Sequence, residues 1–433
     1  MIKMMSVQAA CALLSLAPLL VLGDPPIWTQ PEQVHLSYPG APGSMVVTWT
    51  TFNETKSEVE YGLLGGRLFE MSARGDAALF VDSGEEERKM YIHRVTLTDL
   101  KPAATYVYHC GSDDGWSDVF SFAALNDSAS FSPRFALYGD LGNENPQSLA
   151  RLQKETQLGM YDAILHIGEI ISMSLFQDNA RIGDEFMRQI QSIAAYVPYM
   201  TCPGNHESAY NFSNYRNRFS MPGRTESLWY SWNLGSAHII SVSTEVYFYL
   251  EFGQDLIFKQ HEWLRKDLEE ANKPENRALR PWIITMGHRP MYCSDDDQDD
   301  CTTFDSYVSP GLEDLFYRYG VDVELWAHEH TYERLWPVYG DQVYKGSKEQ
   351  PYVNPKAPVH IITGSAGCRE KTDRFNPNPK EWSAFRSTDY GYTRMQVVNG
   401  THLYLEQVSD DQYGKVIDSI WVEKEQHGFS AWK

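Results

Sequence analysis

What most restricts the fold of this chain is a series of apolar, strand-like runs that each stop at a residue able to hold a metal ion. "RFALYGD" ends at Asp140, "AILHIGE" at Glu169, "YMTCPGNHE" carries Asn205 and His206, "PWIITMGH" ends at His288, and "VDVELWAHEH" carries His328 and His330. Helical patterns alternate with these runs, one opening at Pro146, one over 179–193 and one over 260–271, so the region reads as α/β layers. In such sheets ligands gather at the carboxyl ends of strands, which would bring residues scattered along the chain to one place. Each of them alone has an ordinary explanation as a turn former, cap or core histidine. Together, three imidazoles, two carboxylates and one amide oxygen suit a pair of borderline first-row ions such as Fe, Zn or Mn. The His328-x-His330 spacing, read as an extended segment, puts both rings on one side with Glu329 turned away, so that each ring can serve one of two neighbouring ions.

Upstream of this region, residues 30–125 contain short runs rich in β-branched and aromatic residues, among them "QVHLSY", "MVVTWTT", "IHRVTLTDL" and "TYVYHCG". Their spacing predicts a sandwich of the fibronectin III kind with a structural role. A chain of 433 residues exceeds the size at which one core stops growing, in keeping with two domains. The second is placed at 133–425, and the acidic run Asp295–Asp300 within it is read as a solvated surface loop.

Residues 1–23 read as a secretory signal: Lys3, an apolar run from Ala9 to Leu22, and a small-residue site at Val21-Leu22-Gly23. The run is short and contains Pro18, and no later stretch is apolar enough to span a bilayer, so no membrane span is expected. Four N-x-S/T sequons, at Asn53, Asn126, Asn211 and Asn399, fit a secreted or lysosomal glycoprotein. Beyond the signal there are five cysteines, of which Cys293 and Cys301, bracketing "SDDDQDD", are the candidate disulfide. A formal charge of -21 argues against nucleic acid as a partner. It leaves room for a small phosphate ester, whose field at a metal site would be set by the bound cations.

"GDLG", "GNHE", a strand-end "GH", the final H-x-H and "DYGYTRM", in this order, resemble the purple acid phosphatases of the calcineurin-like metallophosphoesterase superfamily, in particular their animal members. The resemblance runs over nearly the whole mature chain. It implies a fibronectin-like domain followed by a four-layer αββα domain, and two ions about 3.5 Å apart that clamp a phosphate monoester for attack by a bridging hydroxide. By motif position it implies Asp140 and His330 on a ferric ion, Asn205, His288 and His328 on a second ion (Zn, Fe or Mn), Glu169 as the bridging carboxylate, and His206 as the histidine that contacts phosphate and protonates the leaving alcohol.

The chain departs from the family motif G-D-x-x-Y at one place, where it reads Gly168-Glu169-Ile170-Ile171-Ser172. Glu keeps the bridging charge on a longer arm, and a shift of a fraction of an ångström costs on the order of 100-fold in rate. Ser172 replaces the tyrosine that binds iron(III), which predicts weak ferric binding and a divalent pair. Two functional readings follow. One is an active secreted acid phosphatase, and the other is a catalytically impaired, phosphatase-like glycoprotein with a binding or structural role.

Overall fold

The computed structural model describes residues 28–169, 179–296, 298–303, 306–345 and 350–432. The N-terminal signal and Ser172 lie outside them.

The N-terminal sandwich packs two antiparallel sheets. One orders Glu32–Ser37, Met45–Thr51, Lys89–Leu97 and Asp76–Val81; the other is built around Glu58–Leu63 and Thr105–Ser112. Lys89–Leu97 is buried on both faces, Met90 and Ile92 turned to a small cluster with Phe80 and Ala180 and Val95 and Leu97 to the main core, as successive side chains on opposite faces allow.

Two larger mixed sheets follow. In the first, Arg134–Tyr138, Ala163–Ile167 and Tyr199–Cys202 run parallel, and Gly391–Val397, His402–Ser409 and Lys415–Glu423 continue the sheet antiparallel. In the second, Ala237–Ser241, Trp282–Met286, Val323–Trp326 and Val359–Thr363 are parallel neighbours. The five-residue stretches Ala163–Ile167 and Trp282–Met286 are buried throughout, as expected of parallel strands covered on both faces. Helices Leu149–Gln157 and Arg181–Ala194 serve the first sheet. Asp255–Ala271 and Ser309–Tyr319 cover the second, enclosing a separate core that includes Leu264, Leu268, Leu312 and Phe316. The larger core runs from the sandwich through both sheets. This is the layered fold expected from the sequence.

The two sheets meet near the carboxyl ends of their parallel strands, where the Gly139 N–H donates to the Thr363 carbonyl at 2.8 Å. The sandwich is fastened to the helix Arg181–Ala194 by a buried network. The Arg218 and Arg88 guanidinium groups donate to the two Asp184 oxygens at 2.8 and 2.6 Å, and Arg218 also donates to Gln33 at 2.9 Å.

Candidate metal centre

Every donor anticipated from the sequence stands just past the end of a parallel strand. Asp140, Glu169 and Asn205 come from the first sheet, and His288, His328 and His330 from the second. Tight turns aim them. Asp140, Glu169 and His328 have φ of 57°, 43° and 70°, left-handed values that cost about 1–3 kcal/mol each for residues with a side chain and gather at functional sites. Gly168 is required where it stands, since a Cβ there would lie 2.1 Å from His288 Nδ1. At "GNHE", the Glu207 carboxylate accepts from the Gly204 N–H at 2.7 Å and fixes the short helical turn Asn205–Ser208.

The donors fall into two groups. In the first, His288 Nε2 lies 2.6 Å from Asn205 Oδ1 and 3.1 Å from His328 Nδ1. Ligands about 2.1 Å from one ion are about 3.0–3.4 Å apart at octahedral to tetrahedral angles; the His288–His328 separation falls in that range, while the 2.6 Å from Asn205 Oδ1 is the length of a hydrogen bond. Glu169 joins His288 and His328 within a 4.8 Å group. The far side of the His328 ring, Nε2, lies 2.7 Å from Asp299 Oδ2, with Arg289 Nη1 2.8 Å from the same nitrogen. Arg289 can only donate, so it competes with Asp299 for Nε2; in the tautomer whose Nε2–H donates to Asp299, the Nδ1 lone pair faces the group, the usual way an outer carboxylate sets a ligating tautomer.

The second group joins Glu169, His330, Cys368 and Glu370. Glu169 therefore belongs to both. Its Oε1 lies 3.1 Å from His206 Nε2 and its Oε2 3.4 Å from His330 Nε2. Asp140 falls in neither group. Its Oδ2 accepts from the His328 N–H at 2.9 Å, while Oδ1, buried and without a hydrogen-bond partner, stands 3.9 Å from the equally bare Nδ1 of His288. Buried bare polar atoms are rare because each costs its full desolvation. Here they lie beside converging donors, which fits a region built to receive cations.

Burial, reinforced by the Glu169 charge, pushes the Asp140 carboxyl well above the usual range. Burial also acts to raise Glu169, but hydrogen bonds and charge from His206 and His330 win and hold it well below. Burial opposes charge on His206, yet its Glu169 contact raises it to about 9, and His330 is likewise held well above its ordinary value. Burial drives His288 the other way, toward the neutral ring that a metal ligand needs.

Several sequence expectations are corrected here. The His328–His330 segment is not extended. The Glu329 N–H bonds to the Ala327 carbonyl at 2.8 Å and the Thr331 N–H to the Glu329 carbonyl at 2.7 Å, so consecutive three-residue turns, with His328 left-handed, send its two rings to different groups. The acidic run is not simply solvated. Asp295 is buried and accepts from Thr331 at 3.0 Å, and Asp299 holds His328. The disulfide expected between Cys293 and Cys301 is present and closes this loop. Among the sequon asparagines, Asn399 is exposed and Asn53 and Asn126 are half-buried, while the Asn211 side-chain oxygen is enclosed. Sequence reasoning missed Asp299, Cys368 and Glu370. Only Cys368 had a signal, since it too follows a parallel strand, Val359–Thr363.

The fold and the paired donor groups define a metallophosphoesterase. Residues 31–124 match the model of the purple acid phosphatase N-terminal domain, 133–332 that of the calcineurin-like phosphoesterases, and 357–419 that of the iron/zinc purple acid phosphatase-like C-terminal region. The chain is 72% identical over 424 residues to an acid phosphatase type 7 from Danio rerio, covering 95% of this chain and 96% of that one. It is 60% identical over 399 residues to the Homo sapiens acid phosphatase type 7, covering 90% of each. A solved purple acid phosphatase from yellow lupin seeds superposes with a TM-score of 0.77 at 24% identity, covering 92% of this chain and 75% of that one. The chain belongs to the purple acid phosphatase family and is a phosphatase of the metallophosphoesterase type.

Proposed function

We propose that the protein is a secreted acid phosphatase that hydrolyses phosphate monoesters at a dinuclear centre. Glu169 would be shared between the two ions, Asn205, His288 and His328 would hold one, and His330 with Asp140 would serve the other. The observation that carries this reading is the sharing of Glu169 between two separate donor groups. When bound, the ions supply Lewis acidity and neutralise charge on the transferring phosphoryl group. The chain's own residues do the rest. Asn205 and His288 are fixed by the Gly204–Glu207 turn and by the Gly168 backbone, which holds the His288 ring in place. His206, protonated in acid and with its Nε2 turned to Glu169, is placed to give a proton to the departing alkoxide. The ions are divalent, with Zn favoured over Fe or Mn, because Ser172 offers no anionic oxygen to iron(III). The disulfide and the N-terminal signal support an oxidising, secretory destination.

Metal content of the secreted protein, measured with p-nitrophenyl phosphate turnover at about pH 5, tests this. Two ions per chain and clear turnover are expected. The change from Asp to Glu at 169 and from Tyr to Ser at 172 favours the second reading, an impaired phosphatase-like glycoprotein. An empty, inert but folded protein, restored by Glu169→Asp with Ser172→Tyr, would establish that one instead.

A further inference from the structure

The loop that leaves the His288 strand carries the disulfide and comes back to the other imidazole of the same group. Its Cys293 end is firmly set. Cys293 is buried, its carbonyl accepts from Trp382 Nε1 at 3.0 Å, and the Ser294 N–H and hydroxyl both donate to the Glu333 carboxylate. Cys301, at the other end, sits in the middle of the short helical turn Asp300–Thr302, whose cap is Asp299. Asp299 Oδ1 accepts from the Asp300 N–H at 2.6 Å, and the Asp299 carbonyl accepts from the Thr302 hydroxyl at 2.7 Å. Its second oxygen, Oδ2, reaches His328 Nε2 at 2.7 Å. The sulfur bridge therefore ties the capped turn, and the carboxylate with it, to the segment that supplies His288.

Resting on the dinuclear reading above, we infer that the Cys293–Cys301 disulfide is a positioning device for the ion at His288 and His328, beyond any service as a brace. It does so by deciding a competition. Arg289 Nη1 stands 2.8 Å from the same His328 nitrogen and has only protons to offer. With Asp299 held in place, the ring gives its Nε2 proton to the carboxylate and Nδ1 is left bare, 3.1 Å from His288 Nε2. With Asp299 withdrawn, Arg289 donates to Nε2 and the ring proton moves to Nδ1, which closes that nitrogen to a cation. The other group does not depend on this loop. His330 Nδ1 donates to the Lys371 carbonyl at 2.9 Å and its N–H to Asp373 at 2.7 Å, so the disulfide should govern one ion and spare its neighbour.

Both sulfurs lie in the apolar core under the second sheet, so the test replaces them with groups that fill it, Cys293→Ala together with Cys301→Val, in the full-length protein. Zinc affinity is then measured by competition with a chelator. The pair variant should hold one ion as before and the other about 10–100-fold more weakly, the loss expected when an outer carboxylate no longer orients its histidine. Asp299→Asn should weaken the same ion equally in the unmodified protein and add almost nothing in the disulfide-free one, because the two act along one path. Both ions held as tightly without the disulfide, both weakened alike, or a full second loss on adding Asp299→Asn would each overturn the assignment and leave the dinuclear reading standing. An unmodified protein that binds no zinc would overturn both. A single ion, weakened with the disulfide gone, would support the assignment while removing the second ion. Should the pair variant fail to fold, Thr302→Val decides, since it cuts the turn's bond to Asp299 and leaves the sulfurs alone. Weaker binding of one ion is expected there, and unchanged affinity would overturn the assignment.

Discussion

Asp184 and Asp140 are both fully buried carboxylates, in surroundings built to opposite ends. Asp184, where the sandwich meets the catalytic layers, receives Arg218, Arg88 and Gln33, and those arginines spend further donors on Asn214, Ala180 and Asn179. Burial alone would raise its pKa, but the two guanidinium groups hold it below the usual range. Asp140 receives one backbone N–H, keeps one oxygen bare, faces the negative Glu169 and is pushed upward. The junction is closed by the protein itself. At the centre, Asp140 Oδ1 and His288 Nδ1 are buried with no protein partner.

That contrast breaks first at the centre. Asp140→Asn should lower kcat/KM for p-nitrophenyl phosphate about ten-thousandfold, roughly 5.5 kcal/mol of transition-state stabilisation. The thermal midpoint of the metal-free protein should hold or rise, because an unmatched buried carboxylate becomes a neutral amide. A falling midpoint would show that Asp140 is structural after all.

The converse holds at the junction. Asp184→Ala strands the Arg218 charge, which is 2% exposed, and should cost about 3–5 kcal/mol in denaturant unfolding. The activity of the folded fraction should stay as it was. An activity loss exceeding the unfolded fraction would mean the two clusters are coupled.

Buried histidines sharpen the comparison, since they are satisfied without any charge. His93, held by Thr51 and Ser57 at 2.8 Å and stacked on Trp49, has its pKa lowered by burial to about 4. An unfolded histidine takes up its proton near pH 6.5, whereas the folded ring waits until about 4. The contribution of His93 is therefore complete above about 6.5 and is lost as pH falls toward 4, by about 3 kcal/mol in all. Unfolding free energy measured across that window should fall less steeply in His93→Gln than in the unmodified protein. Equal slopes would remove His93 from the account.

The smallest effect is expected one step outside the centre. Asp299→Asn should weaken binding of the ion at His328 by about 10–100-fold, read by competition with a chelator, with little change in unfolding midpoint of the metal-free protein. A midpoint loss as large as that of Asp184→Ala would make Asp299 a structural anchor.

Much of this was legible in the sequence because strand ends are local. An apolar run, a glycine and a donor suffice to place Asp140, Glu169, Asn205 and His288 at one rim of two sheets, and an apolar run ending in H-x-H adds His328 and His330. Cys368, Glu370 and Asp299 were not legible. Their reach depends on how loops from different strands fold over one another, and an acidic run carries no mark telling which of its members turns inward. The H-x-H misreading has a similar cause, since alternation assumes an extended chain and nothing in "AHEH" announces left-handed His328. The helix expected to start at 260 begins at Asp255, where no side-chain cap advertises its end.

The placement of Asp140 past the first strand of one sheet and of His328 and His330 past a late parallel strand of the other bears on how the protein matures. No short stretch of the chain contains a complete donor set, so a nascent polypeptide cannot capture its ions piecemeal. The donors assemble only when the sheets have closed on each other, the slow, long-range event of such a topology. Metal loading should therefore report the end of folding, and ions supplied before that point should neither speed it nor be retained.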